Sequence, residues 1–247
     1  MKNSDIKFEL DASKSVVNHS SGYKFLIIMS MFYISIMLCN AILTNRYVGY
    51  DTFFILGGTL TSPFIFILDD IIAEIYGYKI ARCVILTGFA AQTFFIIICQ
   101  LVMIAPSPSH FKDGAAYSQI LGASLLQINI SGFIAYIVAN LVNSYIITRW
   151  KVLLKGRKFW LRSLFSSTFS EALYSFIAIS MMEINSIPFN DILKVAVISY
   201  LIKATYSLIF AIPANVFVNY VKKRTGINVY DFPKKFTPFK YLNLNRG

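Results

Sequence analysis

The sequence predicts an all-α, polytopic membrane protein: a bundle of six transmembrane helices with both termini on the cytoplasmic side. Three observations carry this. Of the 247 residues, 56% are hydrophobic and only 14% are charged, whereas soluble domains are about a quarter charged. The apolar residues gather into runs of bilayer-spanning length. Basic residues gather in alternate connections. The N-terminal stretch holds Lys2, Lys7, Lys14 and Lys24, the second-to-third connection Lys79 and Arg82, and the fourth-to-fifth Arg149, Lys151, Lys155, Arg157, Lys158 and Arg162. The C-terminal stretch holds Lys222, Lys223, Arg224, Lys234, Lys235, Lys240 and Arg246, and the opposite side only Arg46, Lys112 and Lys194. The positive-inside rule then puts both termini in the cytoplasm, and an even span count agrees.

The first span runs from about Phe25 to Thr44. The second covers Thr52 to Ile75, with Gly57-Gly58 and Pro63 inside it, so a kink or a break into two half-helices is expected. The third runs from Ile80 to Ile104 and is stopped by Ala105-Pro106-Ser107-Pro108. The fourth, Tyr117 to Thr148, is longer than a bilayer requires and either tilts or begins as an interfacial segment. The fifth is Leu161 to Met182 and the sixth Ile192 to Val221. Residues 1–22 form a polar cytoplasmic tail and 23–224 the membrane domain. Residues 225–247 form a basic, aromatic tail suited to anionic headgroups. The net charge of +11 is thereby accounted for by lipid and topology, with no direct nucleic-acid partner. The N-terminus does not have the form of a cleaved signal peptide.

Polar residues inside the spans carry the functional signal. The segment PFIFILDDIIAEIYGYKIAR, Pro63–Arg82, ends an apolar run with Asp69, Asp70 and Glu74. Asp70 and Glu74 share one helical face, and a carboxylate near mid-bilayer costs roughly 2.5–3.5 kcal/mol or more. Span five offers Glu171 with Ser167, Tyr174 and Ser175 on its face. Span six offers Lys203 with Ser199, Tyr206 and Ser207. Span four offers Asn129, Tyr136, Asn140 and Asn143, and span one Tyr33, Asn40 and Thr44. The bland alternative is that asparagines and serines only hold helices together. For Glu74 it is an edge ion pair with Lys79 or Arg82, and for Asp70, Glu171 and Lys203 an internal salt bridge. A buried pair is a poor source of stability by itself, which favours a role in binding.

Catalytic parts are missing, so the chain does not read as an enzyme. There is no Walker A motif, no H-E-x-x-H and no G-x-S-x-G. Cys39, Cys83 and Cys99 form no C-x-x-C pair, and His19 and His110 lie outside the spans. No metal site or cofactor is expected.

Pro63–Arg82 resembles the hallmark segment of the queuosine precursor transporter family, also described as a vitamin-uptake transporter family. Asp70, Glu74, Tyr76, Gly77, Ala81 and Arg82 carry the likeness. Asn40 near Asn45-Arg46 resembles the family's first-helix Asn, Ser166–Ser175 its Ser/Thr-rich fifth helix, and Tyr200–Arg224, with Lys203 and Pro213, its sixth. The likeness spans Phe25 to Arg224. One departure stands out: the family carries an acid in the fifth helix where this chain has Tyr174, and Glu171 lies one turn earlier on the same face.

The resemblance implies import, across the inner (cytoplasmic) membrane, of 7-cyano-7-deazaguanine, its aminomethyl analogue or queuine, for salvage into tRNA modification. The chemistry of the residues suits such a base. One carboxylate, Asp70 or Glu171, can accept the adjacent N–H and amino donors of a guanine-like edge. Asn40 or Asn140 can read the ring carbonyl, and Phe66, Tyr174 or Tyr206 can stack on the ring. Glu74 completes the acidic face, and Lys203 balances the carboxylates in the empty site. Two other readings compete: a vitamin-binding membrane subunit working with an ATPase module, and a membrane scaffold that transports nothing. A homo-oligomer is compatible with any of them.

Overall fold

The computed structural model describes residues 3–50, 53–108, 110–154 and 159–229. These fold into α1 (Asn3–Leu43), a hairpin of β1 (Tyr47–Tyr50) and β2 (Phe53–Leu56), α2 (Gly58–Tyr76), α3 (Tyr78–Ile104), a short α4 (Gly114–Leu121), α5 (Ala123–Leu153), α6 (Phe159–Glu183) and α7 (Phe189–Thr225). Four stretches are long and apolar enough to cross a membrane: Gly22–Leu43, Lys79–Ile104, Gly114–Asn140 and Phe189–Thr225. The protein is therefore a mostly helical, multi-pass membrane protein. The remaining long helices carry the polar interior: α2 is apolar but holds three carboxylates, Asp69, Asp70 and Glu74, and α6 is diluted by serines. Large apolar side chains point outward, among them Met31 and Phe32 of α1, Phe94 and Leu101 of α3, and Leu208 and Ile212 of α7. Asp69, Asp70, Glu171, Lys203 and a set of serines are buried. This inversion is what a lipid solvent selects.

The connection between α1 and α2 corrects the sequence reading. Residues 53–56 are strand, and the helix expected from Thr52 begins at Gly58. Aromatic and β-branched residues favour the hairpin, which pairs Tyr47 with Leu56 and Tyr50 with Phe53. Gly57 and Gly58 let it fold back on the end of α1. A Cβ on Gly57 would lie 2.5 Å from the Leu43 carbonyl oxygen, and one on Gly58 would lie 2.0 Å from Thr44 Oγ1. The Tyr47 hydroxyl donates to Glu183 Oε2 at 2.6 Å, tying the hairpin to the end of α6. Burial, then this carboxylate acceptor, push the Tyr47 hydroxyl well above the usual tyrosine range.

Two further expectations are narrowed: of the kink or break allowed in α2 the break is absent, and of the tilt or interfacial start allowed in the fourth span a separate first segment is present. α2 runs unbroken through Pro63, since a proline there gives up only one backbone bond, to Thr59. The expected fourth span is instead two helices, divided at Gly122. A Cβ there would meet the Ser118 carbonyl oxygen at 2.2 Å. Gln100 caps the break by donating to the Leu121 and Gly122 carbonyls at 2.7 and 2.9 Å. No α4 side chain is buried. At the N-terminus, α1 already begins at Asn3, so helix extends through the stretch expected as a polar tail. Residues 230–247 of the expected basic tail lie outside the described residues.

Three apolar clusters sit at successive levels. Near the α2–α3 turn, Met29, Ile72, Ile75, Val218 and Val221 join α1, α2 and α7. Near the hairpin, Leu56, Ile128, Ile179 and Val195 join it to α5, α6 and α7. In between, Tyr33, Met37, Phe66, Phe89 and Tyr136 form an aromatic layer. At the turn itself, Gly77 alone separates α2 from α3 at a φ of 86°, a conformation that L side chains avoid.

Candidate functional site

The interior holds two polar compartments at different depths. The hairpin-side chamber is lined by Asn40, Ser62, Phe66, Gln92, Tyr136 and Tyr174, with apolar neighbours. It continues into a space lined by Asn40, Ser62, Tyr174 and Lys203. The turn-side cavity is lined by Asp70, Ser163, Ser167, Ser207 and Phe210. Along α2, Ser62 and Asp70 are eight residues apart, roughly 12 Å. Phe66 lies midway between them. It stacks on Tyr136 with ring centroids 5.7 Å apart and meets Tyr174 edge-on at 5.4 Å, so an aromatic partition stands between the compartments.

The helical period puts each polar group inward. Asp70 is buried and accepts bonds from uncharged donors only. Asn143 of α5 donates to Oδ1 at 3.0 Å, and Ser167 of α6 to Oδ2 at 2.6 Å, joined there by Ser163. Its neighbour Asp69 accepts the Tyr136 hydroxyl and, at 3.4 Å, the Asn140 amide. Asn140 also approaches the Tyr136 hydroxyl at 3.3 Å. Asn40 accepts the Thr61 hydroxyl at 2.7 Å.

Glu171 and Lys203 lie diagonally across the α6–α7 interface. Ser207 donates to Glu171 Oε1 at 2.7 Å, and Lys203 donates to Ser175 Oγ at 3.0 Å. Each charge thus bonds to a hydroxyl one turn from its counterpart, and the two make no direct ion pair. The Lys203 ammonium also sits 4.6 Å from the centre of the Tyr174 ring, a cation–π arrangement.

The expected site residues therefore divide. Asn40, Phe66, Tyr174 and Lys203 border the hairpin-side chamber. Asp70 borders the turn-side cavity, where Glu171 is reached through Ser207. Asn140 lies behind Asp69. Glu74 takes part in an ion cluster beyond the cavity: Lys222 reaches its Oε1 at 2.6 Å and Arg162 its Oε2 at 3.3 Å, with Arg162 fully buried. These two partners come from α6 and α7, far from Glu74 in the sequence. Tyr206 stacks on Phe210 and meets Phe64 edge-on, so it backs the turn-side cavity without lining it. The sequence reading left out the partition Tyr136 and the hydroxyls of Ser163, Ser167 and Ser207 as site groups. The spacing of Ser163, Ser167 and Ser170 on one helical face was the available signal.

A family model described as "Putative vitamin uptake transporter" matches residues 56–218, about two thirds of the chain. The chain belongs to this family. The match begins at the last residue of the hairpin and ends within α7, so the matched region contains the whole lining of the turn-side cavity, while the α1 wall of the hairpin-side chamber, with Asn40, lies before it. Among curated relatives, the queuosine precursor transporter of Escherichia coli (strain K12) is 22% identical over 214 residues, which is 85% of this chain and 94% of that protein. The probable queuosine precursor transporter of Haemophilus influenzae (strain ATCC 51907 / DSM 11121 / KW20 / Rd) is 27% identical over 160 residues, 64% of this chain and 65% of that protein. No solved structure matches.

Proposed function

We propose that the protein imports a queuosine precursor, 7-cyano-7-deazaguanine, its aminomethyl analogue or queuine, across the cytoplasmic membrane. α1, α2, α3, α5, α6 and α7 all span, and both termini face the cytoplasm. The observation that carries this reading is Asp70, a buried carboxylate lining a cavity beyond an aromatic chamber. A flat, apolar-faced heterocycle with adjacent N–H and amino donors matches that sequence of surfaces. The base enters beside Asn40 and stacks against Phe66 and Tyr174. It then passes the partition and presents its donor edge to Asp70. The serines around Asp70 hold the carboxylate in place when the cavity is empty, and Phe210, backed by Tyr206, supplies a second flat wall. Glu171 and Lys203 balance one another between the compartments. The membrane domain, residues 23–224, is sufficient for this route, and the flanking stretches are dispensable for binding.

The experiment is uptake of each radiolabelled base by a host lacking both its own importer and precursor synthesis. Expression of this chain is expected to restore accumulation of at least one of the three bases and queuosine in tRNA. Failure with all three, with the protein present in the membrane, would refute the reading.

A further inference from the structure

Asp69 has no part in the route just described, yet it is one of the most costly groups in the molecule. It is 4% exposed, and it shares its peptide bond with a second buried carboxylate, Asp70. Asp69 Oδ2 accepts from Tyr136 and Asn140, whereas Oδ1 is buried with no hydrogen-bond partner. The fully buried Tyr33 hydroxyl stands beside Tyr136 in the same cluster. The other titratable groups facing Asp69 come from its own helix and its neighbours. They are Tyr33 on α1, Asp70 on α2 and Tyr136 on α5, with Tyr174 of α6 in the same aromatic layer, while Glu74, Glu171 and Lys203 bond to other groups. α3 presents Ile85 and Phe89 here, with Arg82 a turn closer to Gly77. No Lys or Arg among the described residues bonds to Asp69 or Asp70. Two adjacent carboxylates cannot both stay ionised in such surroundings at tolerable cost.

From the vacant Oδ1 and the neutral ring of donors, we infer that Asp69 is a proton-binding site that couples proton entry to import. This rests on the import reading above. Oδ1 takes a proton from the side on which the base enters, forming an O–H bond, and loses that proton to the cytoplasm after the base has moved on. One proton enters per base, adding one positive charge to whatever charge the base itself carries, and no covalent bond in the base changes. The link between the two cargoes is Tyr136: its ring walls the hairpin-side chamber and its hydroxyl donates to Asp69. A metal cation fits less well, because it needs several oxygen ligands around one point. No cluster of His, Cys, Asp or Glu suited to a metal occurs among the described residues.

The test uses the purified full chain in sealed proteoliposomes with radiolabelled 7-cyano-7-deazaguanine, its aminomethyl analogue and queuine. Two measurements are made: concentrative uptake under an imposed gradient, and exchange with unlabelled base preloaded inside, which needs no net proton movement. With the membrane potential clamped at zero, an acid exterior should drive wild-type accumulation of about tenfold per pH unit. A pH dye in the lumen should report acidification when base is added. Asp69→Asn should abolish concentration and acidification while exchange continues. The inference is overturned if Asp69→Asn concentrates base as wild type does, or if wild-type uptake ignores the pH gradient or follows a sodium gradient instead. Wild-type exchange without pH coupling would sink only the proton inference, whereas absence of exchange for all three bases would sink the import reading with it. Should Asp69→Asn fail to reach the membrane, Tyr136→Phe decides. Loss of the hydroxyl on Asp69 must shift the pH of half-maximal uptake, and an unchanged profile overturns the inference.

Discussion

At the scale of single residues, the burden on Asp70 is the most open to experiment. Its oxygens already accept three neutral donors, so the carboxylate is held without a neutralising cation. Asp70→Asn replaces one acceptor with an amide that faces the donors of the base. The expected loss is about 1.5–3 kcal/mol of binding, roughly ten- to a hundredfold in affinity. Radioligand binding to detergent-solubilised protein measures it, and unchanged affinity would remove Asp70 from the site. Asp70 and Asp69 were visible in the sequence as charges inside an apolar run. What the sequence could not order was their partners. Helical spacing places Asn140 and Asn143 on similar faces, but only the packing of α5 against α2 assigns Asn143 to Asp70 and Asn140 to Asp69. Arg162 was read as a loop charge because it sits beside five other basic residues. In the fold it is fully buried against Glu74.

At the scale of elements, two contacts between helices carry distinct expectations. Removing one member of a buried ion cluster leaves an unmatched charge, at a cost of about 3–5 kcal/mol. Arg162→Met removes one cation from Glu74 at the joint of α2 and α6 and leaves Lys222 on the other oxygen, so it should cost less than that full loss yet lower the melting temperature more than Lys223→Met on the exposed end of α7. Between α6 and α7, Lys203→Met and Glu171→Gln should be non-additive by about 0.5–3 kcal/mol in a double-mutant cycle. The coupling would run through Ser175 and Ser207, since the charges do not touch. Strict additivity in thermal melts would show the two to be independent. The hairpin gives a pH expectation. Tyr47 has a folded-state value raised above its ordinary one, near 10. Its contribution is complete below about pH 10 and is lost as pH rises further. Tyr47→Phe should remove that alkaline loss, read as melting temperature against pH. The hairpin itself was not legible. Phe53–Leu56 is apolar enough to merge with the helix that follows, and only the close approach of Gly57 and Gly58 to the end of α1 separates them. The split at Gly122 was hidden for the same reason, since hydropathy continues across it.

At the scale of the whole molecule, the distribution of polarity was legible because lipid reverses the usual pattern. Apolar runs gave five of the six long helices to within a few residues at most ends. Exceptions were the start of α1, which lies far before the apolar run, and the start of α2 and both ends of α5, which lie five or six residues later than expected. The proposed sidedness rests on charge alone and is open to a direct check. In a background with Cys39, Cys83 and Cys99 replaced by Ser, Lys112→Cys should react with an impermeant thiol reagent in intact cells, and Lys79→Cys should react only after lysis. The opposite pattern would invert the molecule in the membrane. The aromatic partition has a consequence of another kind. Phe66 lines the hairpin-side chamber and stands one helical turn from Asp70, so rings lie between that chamber and the carboxylate. A planar solute can slip past a ring that swings aside, a side-chain event far faster than the parting of helices. A globular solute of equal mass cannot. Shape is thus sieved first, by thickness, and chemical identity second, at the carboxylate beyond. A flat purine lacking the paired donors would clear the first sieve and be refused at the second.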